Sequence, residues 1–192
     1  MSKKLPRAER RLQLLKIASS IVRNEGTDAL TLGLLAERAG VSKPIAYDHF
    51  ETRSGLMMAL SKDAMDRQVS ALAKALEDAP REPTRIARIL ATAYLECAIT
   101  IGPEWHAIAA ALRGDATMEA TQRRTREEHA TFYADAIQPV SELDASIVRR
   151  RCIALIGTME ALSDEVVAGR IGMEPAVDDL AALIVTWIMS AR

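Results

Sequence analysis

Apolar residues along this chain recur three to four positions apart, the spacing of helices with one buried face. A first helix is expected from about Arg7 to Asn24, with Leu14, Leu15, Ala18, Ile21 and Val22 inward and Gly26 ending it. Two short helices follow within residues 31–50. Thr52 then caps a long helix over about Arg53–Asp78, whose contacts are Leu56, Leu60, Met65, Val69, Leu72 and Leu76. Pro80–Pro83 breaks the pattern. Further helices are expected from Thr84 up to Gly102-Pro103, over Glu104–Arg113, over Thr117–Gln138, over Leu143–Gly169, and from Pro175 to about Met189. The expected fold is all-α with about nine helices: a three-helix N-terminal domain, residues 1–52, and a helical C-terminal domain, residues 53–192.

The stretch TLGLLAERAGVSKPIAYDHF, Thr31 to Phe50, carries the most information. The Thr31 hydroxyl is placed to cap one helix. Leu32, Leu35, Ala36 and Ala39 give that helix a buried stripe, and Gly40 supplies the left-handed stop. Val41 fills the gap to the next helix. Ser42 is a second cap, and Pro44 occupies a first-turn position where its missing N–H costs little. Two short helices across a glycine turn form a helix–turn–helix, whose second helix enters the major groove of DNA. The same pattern also serves an ordinary helical hairpin in an all-α core.

Charge favours the first of these. Overall net charge is −1, but residues 1–60 hold ten Lys/Arg against six Asp/Glu, and residues 61–192 hold fifteen against twenty. A basic N-terminal segment is the footprint expected for phosphate contact. Lys3, Lys4 and Arg7 form a candidate basic arm. Apolar residues make up 49% of the chain and aromatics 4%, so the core is aliphatic. Cys97 and Cys152 lack metal spacing and are expected as buried thiols. No apolar run is long enough to span a bilayer, and MSKKLPRAERR does not read as a signal peptide. A cytoplasmic protein is expected, with no membrane partner. No phosphate loop, nucleophile elbow or His-Glu-x-x-His pair occurs, so no catalytic residue, metal site or cofactor is assigned.

Ala36 to Leu56, AERAGVSKPIAYDHFETRSGL, resembles the signature of the tetracycline-repressor (TetR) family of bacterial transcription regulators. The resemblance covers about Leu12 to Leu60. The chain departs from the family pattern at Arg53-Ser54, where Lys-Glu is common, and at Gly55. The resemblance implies a homodimer on a palindromic operator, acting as a repressor released by a small-molecule effector.

Seven residues are expected at the DNA. Thr31 and Ser42 cap helices whose N-termini can face phosphate. Lys43 suits phosphate or guanine edges, and Pro44 suits a thymine methyl. Tyr47 and His49 can donate to phosphate, a role the resemblance supports for Tyr47. By resemblance alone, Arg53 stands where the family commonly has a phosphate-binding lysine.

The resemblance also implies an effector pocket among the C-terminal helices. Aromatics with one polar end suit such a pocket, so the candidates are Tyr94, Cys97, Trp105, His106, His129, Phe132, Tyr133 and Met159, with Trp105-His106 preferred. Packing in an ordinary core is the competing role for each. The last two helices have apolar surface beyond one face, including a strip of small residues. This excess reads as a subunit interface of Ala154, Gly157, Ala161, Leu180, Leu183, Ile184 and Trp187. The resemblance likewise implies dimerisation through these two helices as a four-helix bundle.

Overall fold

The computed structural model describes residues 5–101, 108 and 116–189. Among these there are eight α-helices and no strand: α1 (Arg7–Glu25), α2 (Leu32–Arg38), α3 (Lys43–Phe50), α4 (Arg53–Leu76), α5 (Pro83–Ile101), α6 (Ala116–Ile137), α7 (Ala145–Val167) and α8 (Met173–Leu183). A 3-10 turn, Gln138–Val140, follows α6, and a π-turn, Ile184–Met189, continues α8. The fold is all-α, with the helix–turn–helix at its N-terminal end. The helix expected over Glu104–Arg113 lies outside the described residues except for Ile108. Lys3, Lys4, Trp105 and His106 lie outside them as well.

The chain divides into two compact units, with boundaries within α4 between Met65 and Asp66, after Ile101, and within α6 between Gln122 and Arg123. The first unit is centred on α1–α3 and the start of α4. Its core is Leu14, Leu15, Ala18, Ile21 and Val22 of α1, Leu32, Leu35 and Ala36 of α2, Ala46 and Phe50 of α3, and Leu56, Met57 and Leu60 of α4, with Leu30 and Ile108. All five residues expected on the inner face of α1 are in this core. Two helices of seven and eight residues are too short to persist in water alone, so α1 and α4 supply the surface that holds them.

The second unit takes in Asp66–Ile101 and the chain from Arg123 onward. Leu90 and Leu95 of α5, Tyr133 and Ile137 of α6, Val148, Cys152, Leu155 and Met159 of α7, and Val177, Leu180, Ile184 and Ile188 fill its core. Arg88 of α5 donates to Asp178 at 2.5 Å and to Glu174 at 2.7 Å, tying α5 to α8 at the rim. The last six described residues widen into the π-turn. The Thr186 hydroxyl donates to the Ala182 carbonyl at 2.7 Å, the acceptor an α-helix would use, and such back-bonding loosens a helix. The freed carbonyls find other donors: Arg151 donates to Trp187, and the Ser141 hydroxyl to Ile188 at 3.1 Å.

Candidate nucleic-acid interface and buried polar cluster

The α2–α3 turn is built as its residues dictate. Gly40 has φ +64°, the left-handed conformation that a glycine adopts without strain. Its N–H donates to the Glu37 carbonyl at 3.1 Å and the Val41 N–H to Ala36 at 3.0 Å, a Schellman closure of α2. At the other end of α2, the Thr31 hydroxyl accepts from the Leu34 N–H at 3.1 Å. Ser42 occupies the N-cap position of α3, but its hydroxyl makes no capping hydrogen bond. The expectation of a second side-chain cap is corrected here. Pro44 in the first turn already removes one N–H that would need an acceptor, and the Ser42 side chain is exposed.

Helix α3 divides sharply between inside and outside. Ala46 and Phe50 are buried, whereas Lys43, Pro44, Ile45 and Tyr47 are exposed, Tyr47 by 52%. One exposed face therefore carries a cation, a phenol and two apolar groups, the set that meets phosphate oxygens and base edges. His49 is half-buried, and burial, then Arg7, lowers its pKa against the opposing pull of Asp48.

Two arginines hold this helix in place, and a third braces the helix after it. Arg7 donates to the Asp48 carboxylate at 2.5 Å and to its carbonyl at 3.0 Å. Arg11 donates to the His49 carbonyl at 2.7 Å, and its guanidinium lies 4.8 Å from the centre of the Phe50 ring. Both cations satisfy orphan carbonyls at the negative end of α3. Arg53 donates through Nε to the Leu30 carbonyl at 2.9 Å and through Nη2 to Thr27 at 2.6 Å. It braces the start of α4 against the α1–α2 loop, with the Asp28 carboxylate 3.9 Å from Nη2. The Thr52 hydroxyl accepts from the Gly55 N–H at 2.9 Å, capping α4 as expected. Gly55 is there for room: a Cβ at this position would stand 2.2 Å from the Phe50 carbonyl oxygen.

In the second unit, several predicted pocket residues come together. The Tyr94 and His129 rings stack at 6.3 Å, His129 meets the Tyr133 ring edge-on at 5.0 Å, and Phe132 meets Tyr133 at 6.2 Å. Tyr133 and Met159 are fully buried, and Cys97 is half-buried. Tyr94 is hydrogen-bonded to Ser163, whose hydroxyl donates to the Glu160 carbonyl at 2.8 Å. His129 Nε2 and the Tyr133 hydroxyl are buried without a partner among the described residues. Leaving such a group unpaired costs about 1–3 kcal/mol, so this pair stands out among the buried side chains of the described residues. Burial pushes the Tyr133 and Tyr94 hydroxyls up, Cys152 up to about 12, and His129 down to about 4.

The predicted interface residues separate into two groups. Ala154, Gly157 and Ala161 of α7 are exposed, Leu183 is half-buried and Trp187 is 39% exposed. Leu180 and Ile184 are buried in the unit's own core. They face inward because α8 packs against α5, and they back the exposed face instead of forming it. An open groove of ≈ 430 Å³ runs between the two helices, lined by Thr158, Ala161, Leu162, Glu165, Asp179, Leu180 and Leu183.

Residues 14–60, the helices just described, match the family model for bacterial regulatory proteins, tetR family. The helix–turn–helix of this chain is thus similar to that of the tetR family of bacterial regulatory proteins. The HTH-type transcriptional activator FasR of Mycolicibacterium smegmatis (strain ATCC 700084 / mc(2)155) is 42% identical over 73 residues, 38% of this chain. That stretch is 33% of FasR, so the match spans about a third of this curated relative. A crystal structure of a TetR-family transcriptional regulator from Rhodococcus sp. is similar over 94% of this chain and 99% of its own, at 25% identity and a TM-score of 0.72. The transcriptional regulator FadR of Bacillus subtilis, solved in complex with stearoyl-CoA, shares the fold at 13% identity, covering 92% of this chain and 98% of its own with a TM-score of 0.73.

Two groups are not assigned by the sequence. Arg7, expected in a basic arm, and Arg11 act on α3 from 38 to 41 residues away in the chain, and helical spacing carries no sign of that. Ser163 belongs with Tyr94, yet on α7 it looks like one polar residue among many. The rarity of glycine so near a helix start did mark Gly55.

Proposed function

We propose that the protein is a DNA-binding transcriptional regulator whose residues 1–52 form the DNA-binding domain. Residues 53–192 form the effector and dimerisation domain. The observation that carries this is the division of α3: Ala46 and Phe50 are in the core, while Lys43, Pro44, Ile45 and Tyr47 are presented outward. Tyr47 donates to phosphate, Lys43 to phosphate or guanine, and Pro44 touches a thymine methyl. Thr31, Ser42 and His49 border that surface, and Arg53 adds a backbone contact.

A single α3 reads too few bases for an operator. The protein therefore acts as a homodimer on a palindromic site, with its two α3 helices roughly 34–36 Å apart. The exposed small residues of α7, with Leu183 and Trp187, supply the interface, and Leu180 and Ile184 support it from within. A small apolar effector enters the aromatic cluster of the second unit and acts through α4, which runs from one unit into the other. The stearoyl-CoA held by the Bacillus subtilis FadR supports a ligand with a long apolar part. Release of the operator on effector binding makes the protein a repressor. A second reading, an activator, is favoured by the name of FasR, whose matched stretch includes the helix–turn–helix.

Fluorescence anisotropy on fragments flanking the protein's own gene tests the DNA reading. A Lys43→Ala, Tyr47→Phe double change should weaken binding with the helical content intact, and losing one phosphate contact should reduce the salt slope by about 1. A variant that binds as the wild type does would refute the assignment. Run-off transcription from a bound fragment separates the two readings: output falls with a repressor and rises with an activator.

A further inference from the structure

We propose that the second unit holds its ligand through one uncharged carbonyl group, of an ester, thioester, amide or ketone, received by His129 and the Tyr133 hydroxyl. This rests on the reading that the second unit is the effector sensor. Both polar atoms are buried and have no partner among the described residues, and their rings are in edge-on contact. Tyr94, the third polar ring, is already satisfied by Ser163. The open positions are therefore a phenolic O–H and an imidazole nitrogen. Each can donate, and a carbonyl oxygen has two lone pairs to accept both. The Phe132 ring against Tyr133 and the Tyr94 ring against His129 add apolar surface suited to the rest of such a ligand, and Met159 belongs to the same core.

The surroundings select against an anion. Glu160 and Asp164 act on Tyr94, and Arg67 acts on Cys97. Among the described residues none of these charges acts on His129, whose pKa is lowered by burial, or on Tyr133, whose pKa is raised by burial first and by Tyr94, Cys97 and Cys152 after it. A carboxylate placed there would lose its water and gain no cation among the described residues. A carbonyl dipole fills the same two positions without that penalty.

The test uses the full chain with methyl decanoate, 1-decanol and decanoate as probes, titrated by thermal shift at neutral pH. The ester should bind most tightly, and decanoate at least about tenfold more weakly. Tyr133→Phe should unfold no lower than the wild type without ligand, because its hydroxyl has no partner to lose. It should bind the ester about tenfold more weakly, the loss of one hydrogen bond. His129→Leu should behave alike. A lowered ligand-free Tm in Tyr133→Phe would show that the hydroxyl has a structural partner and would overturn the proposal. Decanoate or decanol binding as tightly as the ester would overturn the choice of group. If the ester binds wild type and Tyr133→Phe equally, the sensor reading stands and this inference fails. If no probe shifts the wild type, both fall.

Discussion

Replacing Gly55 with alanine adds one methyl group at the junction on which the presentation of α3 depends. The new Cβ would stand 2.2 Å from the Phe50 carbonyl oxygen, and real Cβ contacts essentially never fall under 3.0 Å. The start of α4 or the end of α3 must therefore move by about 0.8 Å. Neither is loose. The Phe50 carbonyl accepts from the Thr52 N–H at 2.6 Å, Arg11 holds the His49 carbonyl, and Arg53 pins α4 to Leu30 and Thr27. Overpacking of this kind costs about 1–3 kcal/mol. Alanine recovers up to about 1 kcal/mol through its better helix propensity. The net loss is then about 1–2 kcal/mol, and in a unit of this size each kcal/mol lowers Tm by about 4–8 °C. Thermal unfolding followed by circular dichroism reads the drop, and DNA anisotropy on the refolded variant reads the displacement of α3. A Gly55→Ala protein that melts at or above the wild-type temperature would show that the junction yields freely, and the close-approach argument would be wrong.

Three further outcomes follow from the same contacts. Arg11→Ala removes a charged hydrogen bond to the end of α3 and a guanidinium over Phe50, so denaturant unfolding should show a loss of about 1–3 kcal/mol; a loss under about 0.5 kcal/mol would demote that grip. His129 has its pKa pushed from 6.5 down to about 4, so the unfolded chain binds more protons between those values, and stability should fall as pH is lowered from about 6.5 to 4. The fall is about 3 kcal/mol, and His129→Leu should remove it from a pH series of melts; an unchanged slope would place the burial penalty elsewhere. Trp187→Glu sets a charge on the exposed face of the last turn, and sedimentation should find monomers; a persistent dimer would move the interface away from this face.

Much of the helix–turn–helix was legible because its determinants are local. Gly40 closes α2 through neighbours three and five residues away, and Thr31 caps it through Leu34. Ser42 shows the limit of that logic: residue type gave the position, but Pro44 had already removed part of the need for a cap. Leu180 and Ile184 show another limit. Their spacing with Leu183 and Trp187 marks a helix apolar on two sides, but not which side its own core consumes. Packing on α5 decided that, and it links residues nearly a hundred positions apart. In the buried cluster, Tyr94, His129 and Tyr133 were suggested by their chemistry. What separates Tyr94 from the others is a single hydrogen bond to Ser163, a contact that no periodicity encodes.

The central claim is that the exposed face of α3 reads DNA, and the most direct measurement is the affinity of the wild-type protein for fragments flanking its own gene across a salt series. The account predicts one fragment bound well above random duplex, with affinity falling as salt rises and greatly reduced by the Lys43→Ala, Tyr47→Phe change. Equal, weak binding to every fragment, unaffected by that change, would contradict it.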